Sequence, residues 1–348
     1  MIELEAIAPA VVQILRGNMG LKAGERVLVV NDIATVSDWS RMSPGVLTDV
    51  GERSVLARIV ADMARDSFPG HGVDFLAYQC TGRNGAEPPP DVAAAMKAAD
   101  VILAITTFSL THTDAREAAT SAGRRLASMP SVEPEMLLPG GPVSAAVDVV
   151  RSGTLPFASA LTLGSTVLLT TPAGTRLELS IKGRNGEADT GALGSRGAWG
   201  NLPAGEAFIA PVEGTAKGRI VVEKGWHPGL EEDMAILFED GLVTTIEGGG
   251  RVGDEFRKAL DFGTDSPALR ARRNVAELGI GTNPNARRPD NVLEAEKIKG
   301  TVHVAIGDNS HMGGAVAADM HEDFVLRVPT LVIDGRPAIE DGEWLITS

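Results

Sequence analysis

Apolar positions along the first half of the chain alternate between two periods. In MIELEAIAPAVVQILRGNMG, Ile7, Val11, Ile14 and Leu15 fall on one helical stripe that ends near Gly17 to Gly20. GERVLVVND then reads as a buried strand, SVLARIVADMARDSF as a helix, VDFLAYQC as a second strand, PDVAAAMKAA as a helix, DVILAITTF as a third strand and TDAREAATSAG as another helix. Strands alternating with helices predict a parallel α/β sheet. Pro139, Gly140, Gly141 and Pro142 mark a hinge, and the pattern changes beyond it. STVLLTTPAGTRLELSIKG predicts a hairpin turning at Pro172-Ala173-Gly174, and GRIVVEKG and MAILFEDGLVTTIEGGG continue as short strands with glycine turns. DEFRKALDF and PALRARRNVAEL have helical spacing, and GRNGEADTGALGSRGAWGNLP, from Gly183, reads as a long connection or a lid. The expected organisation is an N-terminal parallel α/β domain over 1–140 and a C-terminal mixed α+β metal-binding domain over 141–348.

The residues able to do chemistry gather in the second part. In MHEDFVLRVPTLVIDG, His321 and Asp323 are two apart in a strand-like run, so they project from one face. An imidazole beside a carboxylate is a ligand pair for zinc, manganese, cobalt or non-haem iron. In TVHVAIG, Val302, Val304 and Ile306 share one face and His303 takes the other. Glu277 in NVAELGIGTNP and Glu206 in NLPAGEAFIAP are acids set in apolar segments, where a carboxylate is costly unless paired or coordinating a cation. Asp308, Ser310 and His311 follow the His303 strand, either as a polar turn or as groups that contact substrate. Arg287 and Arg288 are either solvated or available to a substrate carboxylate. His112 either caps the helix that follows it or reaches an active site.

Composition narrows the function. The 43% hydrophobic content of 348 residues supplies cores for about two domains. A net charge of -14 argues against a nucleic-acid partner, which needs a concentrated basic face. The single cysteine, Cys80, rules out an internal disulfide framework and reads as a small buried hydrophobe. GERVLVVND is followed by neither a G-x-G-x-x-G nor a Walker sequence, so no nucleotide site is expected there. The first residues lack the basic flank of a signal peptide and no apolar run is long enough to span a bilayer, so a cytoplasmic enzyme is expected.

NLPAGEAFIAP, AELGIGTNP, TVHVAIG and the HED triplet, in that order, resemble the aminopeptidase T and aminopeptidase S family of metallopeptidases. The stretch from Glu87 to Pro130 is similar to the same family's long central segment, so the resemblance covers most of the chain. It implies Glu206, Glu277, His303, His321 and Asp323 as ligands of one or two divalent ions (zinc, cobalt or manganese), with Glu206 or Glu277 bridging or serving as acid or base. It also implies a homodimer, and a hydrolase that cleaves an amide bond of a peptide or small molecule with metal-activated water. One departure bears on the reaction. The family tyrosine after the HVAIG-like motif is absent; Asp308-Asn309-Ser310-His311 stands there and the sole tyrosine is Tyr78, so weak action on ordinary peptides is expected, with Ser310 and His311 in the tyrosine's region. Relatives on the same fold include a dihydroxypyridine ring-cleaving iron dioxygenase, in which a histidine replaces the glutamate matching Glu277. Retention of Glu277 favours the hydrolase, while His303, His321 and Asp323 compose a possible iron triad for the alternative, a metal-dependent enzyme of aromatic or heteroaromatic catabolism, either a ring-cleaving iron dioxygenase or an amine-releasing aminohydrolase.

Overall fold

The computed structural model describes residues 4–346, so Met1, Ile2 and Glu3 of the expected first helix lie outside the described residues. The chain divides into two compact units, Met1–Val149 with Gly191–Ala204, and Val150–Thr190 with Gly205–Ser348.

The first unit is the parallel α/β sheet. After α1 (Ala8–Val12), it runs β1 (Val27–Ile33), α2 (Pro44–Ser67), β2 (Val73–Gln79), α3 (Pro90–Ala98), β3 (Val101–Ala104), α4 (Asp114–Ser121) and β4 (Arg125–Ser128). The strand order is β2-β1-β3-β4, and Trp199–Asn201, the eighth strand of the chain, joins β4 in parallel. Residues 101–104 and 125–128 are buried throughout, as strands covered on both faces must be. Ile7, Val11, Ile14 and Leu15 are all buried, as the stripe predicts. At α4 the capping oxygen belongs to Thr113, which accepts from the Arg116 N–H, while His112 is exposed just outside the helix. A hydroxyl on the cap residue itself reaches the first turn, and the Glu87 carboxylate accepts from the Asp114 and Ala115 N–H groups there.

The second unit is antiparallel. It opens within α5 (Val147–Leu163), from Val150, and continues with β5 (Thr166–Thr170), β6 (Arg176–Ser180) and β7 (Glu187–Asp189). After β8 (Trp199–Asn201) has been given to the first unit, β9 (Glu206–Ile209), β10 (Lys217–Val222), β11 (Met234–Glu239) and β12 (Leu242–Gly248) follow. Next come α6 (Gly250–Leu260), α7 (Pro267–Arg272), β13 (Val275–Gly281), α8 (Val292–Ala295), β14 (Val302–Gly307) and β15 (His321–Leu326). The last strands are β16 (Thr330–Ile333), β17 (Arg336–Glu340) and β18 (Glu343–Trp344). They form an eight-stranded sheet, β12-β11-β10-β6-β5-β16-β17-β18, and a five-stranded one, β15-β14-β13-β9-β7. One continuous core takes Leu169, Leu177, Ile220, Ile236 and Leu331 from the first of these and Ile209, Leu278, Val304 and Phe324 from the second.

Two expectations need correcting here. The helical spacing over PALRARRNVAEL holds only for α7, which Ser266 caps by accepting from the Leu269 N–H and which buries no residue. All seven residues of Val275–Gly281 are buried, and they form the central strand of the five-stranded sheet. The glycine-rich run from Gly183 is more than a connection, because it contains β7 and β8. No described helix is long and apolar enough to cross a membrane.

Candidate metal centre

Residues opposed across antiparallel strands share a face, and the register of the five-stranded sheet fixes which side chains meet. Asp189, Glu206 and Gly281 form one row, Gly279 and His303 the next, Glu277, Ala305 and Asp323 the third, and Gly307 and His321 the fourth. The alternate residues Leu278, Ile280, Val302, Val304, Ile306, Phe324 and Leu326 point the other way, into the core. The period of two therefore anchors the sheet with one face and gathers acids and imidazoles on the other. Small residues make the room: a Cβ at Gly279 would stand 2.0 Å from His303 Nε2.

All five residues expected from the sequence to bind metal are brought together. His303 Nε2 lies 3.2 Å from Glu277 Oε1 and 3.4 Å from Glu206 Oε2. His321 Nε2 lies 3.2 Å from Glu277 Oε2 and 3.6 Å from Asp323 Oδ1. Glu277 thus stands between two groups, Glu206-Glu277-His303 and Glu277-His321-Asp323, and within each group the donor atoms are all within 4.8 Å of one another. His321 Nδ1 is 2.8 Å from the Asp308 carbonyl, which can only accept, so the proton sits on Nδ1 and Nε2 is the nitrogen able to ligate. The two groups differ in access, since the His303 side chain is wholly buried and that of His321 is 25% exposed.

Charge in the cluster is tightly interlocked. Burial pushes the Glu277 carboxyl up, but hydrogen bonds from His303 and His321 and their positive charge outweigh it and hold the group well below the usual carboxylate range. Burial lowers His303, yet its bond to Glu277 and the charges of Glu206, Glu277 and Asp323 raise it to about 9. His321 is likewise raised, against burial, by Asp323 and Glu277. Carboxylates packed this closely need positive charge. Protonated imidazoles supply it, and so would a divalent ion with the imidazoles neutral.

The residues fit such an ion. Two imidazoles with carboxylate oxygens suit iron, manganese or zinc, and Glu206 Oε2 is a buried acceptor without a hydrogen-bond partner.

Ser310 and His311 are not among these donors. Both are exposed on the turn Ser310–Met312, where the Ser310 hydroxyl donates to the Asp308 carboxylate at 3.1 Å. Arg288 is paired with Asp290 at 2.9 Å. Sequence reasoning missed Lys297. Its ammonium is buried against Glu206, with Glu296 Oε1 at 2.9 Å and Asp189 Oδ2 at 3.7 Å. In the charged run EAEKIKG nothing separates it from a solvated lysine.

The NicX family model, described as 2,5-dihydroxypyridine 5,6-dioxygenase, matches residues 11–346. The chain belongs to the NicX family. A curated 2,5-dihydroxypyridine 5,6-dioxygenase of Pseudomonas putida KT2440 is 24% identical over 161 residues, which is 42% of this chain and 45% of that relative, so the alignment spans less than half the relative's length. Among solved structures, the 2,5-dihydroxypyridine dioxygenase of P. putida KT2440 is similar with a TM-score of 0.71 at 18% identity, covering 98% of this chain and 96% of that one. AmpT from Thermus thermophilus follows at 0.67 and 14% identity, with 98% and 99% covered.

The aminopeptidase resemblance therefore holds for the fold. The expected metallohydrolase, with its aminopeptidase and metalloprotease activity, is overturned by the NicX family match. The physical reason lies in the motifs themselves. NLPAGEAFIAP, AELGIGTNP, TVHVAIG and HED encode acids and imidazoles on one face of one sheet, and such donors serve hydrolysis and oxygen chemistry alike. Glu277 is shared by both donor groups, and a central carboxylate is compatible with either chemistry, so its retention does not favour the hydrolase.

Proposed function

We propose that this protein is a metal-dependent ring-cleaving dioxygenase of heteroaromatic catabolism, taking a dihydroxylated pyridine such as 2,5-dihydroxypyridine. The observation that carries the proposal is the NicX family match over residues 11–346. The buried His and carboxylate cluster on the five-stranded sheet supports it. His321 and Asp323 would hold the ion with Glu277 between them and His303 behind. Ferrous iron bound there supplies the one-electron chemistry by which dioxygen reacts with an aromatic ring.

The chain's own groups do the rest. Asp308 keeps the His321 proton on Nδ1, and Glu277, held ionised by the two imidazoles, keeps its carboxylate available to the ion. His321 is the most exposed of the five side chains, so the substrate approaches from its side, beside the turn that carries Ser310 and His311. We assign those two residues to substrate contact, with Ser310 also shaping the turn through Asp308. His303 lies deepest, wholly buried behind Glu277.

The test is to load chelator-treated protein with ferrous iron under anaerobic conditions and then admit oxygen with 2,5-dihydroxypyridine. Loss of the aromatic absorbance matched by oxygen uptake is the expected result. Oxygen-independent release of amine from leucine, arginine or phenylalanine amides, with the pyridine untouched, would overturn it.

A further inference from the structure

We infer that Lys297 is a positioning residue of the metal centre: it anchors one oxygen of Glu206 and so turns the other oxygen of that carboxylate into the cluster as a donor for a cation. The inference rests on the metal-dependent reading above and adds to it a residue that touches neither ion nor substrate but sets the direction of one donor.

A glutamate side chain has many rotamers open to it. In Glu206 the two oxygens are treated differently. Oε1 is bonded by the Lys297 ammonium, which is 1% exposed and also meets Glu296 Oε1 at 2.9 Å and Asp189 Oδ2 at 3.7 Å. An ammonium so deeply buried stays where its acceptors are, because moving it away would leave the charge unpaired. Oε2 is buried and accepts no hydrogen bond, yet it lies 3.4 Å from His303 Nε2, which is itself 3.2 Å from Glu277 Oε1. A bare buried acceptor is costly, and a cation among Glu206, Glu277 and His303 is the partner it lacks.

The backbone fixes the anchor. Asp189, Glu206 and Gly281 form one row of the five-stranded sheet, and the segment that carries Lys297 is laid across the end of that row. The Lys297 N–H donates to the Glu294 carbonyl at 3.0 Å, its carbonyl accepts from the Asn283 N–H at 2.9 Å, and Ile298 bridges Asn283 in parallel. A Cβ at Gly281 would stand 2.1 Å from the Ile298 carbonyl oxygen, so only glycine lets the two backbones approach this closely. Lys297 therefore meets Glu206 from a pinned position, and it is the carboxylate whose direction is set.

Positioning and bare charge predict opposite signs. A lysine that acted on the ion only through its charge would repel it, and removing that lysine would tighten binding. Removing an anchor loosens binding instead, typically by tenfold or more.

The experiment uses the full chain, stripped with chelator and titrated with Mn(II), with affinity read from the electron paramagnetic resonance of the free ion. Lys297→Met is expected to lose about tenfold or more in affinity. In a chain that already carries Glu206→Ala, the same replacement is expected to cause no further loss, because the residue it acts through is gone. A merely structural lysine would cause the same loss in both backgrounds. Should Lys297→Met fail to fold, Glu206→Gln decides with Lys297 in place. Its amide oxygen is then drawn to the ammonium and its NH2 group is turned into the cluster, so a loss of more than about tenfold is expected; an amide free to turn would offer its oxygen to the ion and keep affinity within about threefold. Tighter binding in Lys297→Met, an equal loss in both backgrounds, or near wild-type affinity in Glu206→Gln would overturn the role of Lys297 and leave the metal-dependent reading intact. A wild-type chain that binds no Mn(II) would remove both.

Discussion

His303 occupies the space that a side chain at Gly279 would need, and this one contact sets the position of the imidazole. Gly279→Ala is expected to cost about 1–3 kcal/mol through overpacking, because the methyl meets a ring that is wholly buried. Metal affinity should fall with it by about tenfold; a variant with wild-type melting and metal content would show that the ring has room to move. His321→Ala and Asp323→Ala should each abolish most metal content, since both flank Glu277 and neither can reach the other's position. Elemental analysis checks this, and unchanged stoichiometry in both variants would remove the ligand set. At this scale the five candidate ligands were legible, because a period of two puts His321 with Asp323 and sets His303 opposite the apolar face. Lys297 was not, since burial of a lysine depends on acids brought from Asp189 and Glu206, far away in the chain. Cys80 behaves as the sequence implies. Burial, with the charges of Asp38 and Asp32, pushes its thiol up to about 11, so alkylation at pH 8 should run roughly a hundredfold slower than for an exposed cysteine.

At the scale of elements, the loop between β14 and β15 is tied down from outside the sheet. Glu213 Oε1 accepts from Asn309 Nδ2 at 3.0 Å and from the Ala315 N–H at 2.8 Å, and Arg184 pairs with its other oxygen. The same loop presents the Asp308 carbonyl to His321, so Glu213 orients a candidate ligand at one remove. Burial raises the Glu213 carboxyl, but the Ala315 N–H, the Asn309 amide and Arg184 lower it further, and the net direction is down from 4.5. A carboxyl with a folded-state pKa below its unfolded one stabilises fully above the unfolded value, and that contribution fades as pH falls through the folded value. Glu213→Ala should therefore cost about 1–2 kcal/mol at neutral pH, lowering Tm by about 2–6 °C. The gap from wild type should narrow in melts run below the unfolded value. A gap that widens toward acid would show that Glu213 acts through packing alone. Element boundaries were partly legible. β13 was merged with α7 in the sequence because VAEL continues a helical spacing, and only the strands on either side of it make Val275–Gly281 a central strand.

For the whole molecule, the alternation of strands and helices in the first half and the hairpins of the second gave the two architectures, while the exchange of chain between the units was hidden. A three-residue strand among glycines, Trp199–Asn201, has no period of its own to read. A homodimer is proposed on the resemblance alone, and sedimentation as a monomer at micromolar concentration would reject it. The shared strand leads to a firmer prediction. β4 is buried along its length, with β3 on one side and β8 on the other, in the register Leu126↔Trp199, Ala127↔Gly200 and Ser128↔Asn201. Arg116 stacks over the Trp199 ring at 4.1 Å, and the Leu202 N–H donates to the Ser128 carbonyl at 3.0 Å. A fragment ending at Ala146 keeps β1 to β4 and their helices but lacks β8, which leaves RLAS as an uncovered edge with unpaired backbone groups. Such an edge recruits other chains, and the guanidinium of Arg116 loses its aromatic partner as well. The fragment is expected to aggregate when expressed alone. Adding residues 191–204 through a short glycine-serine linker should restore a soluble, cooperatively melting species. Sedimentation and thermal melts of the two fragments check this, and a soluble fragment 1–146 with a cooperative transition would show that β8 adds nothing the first unit needs.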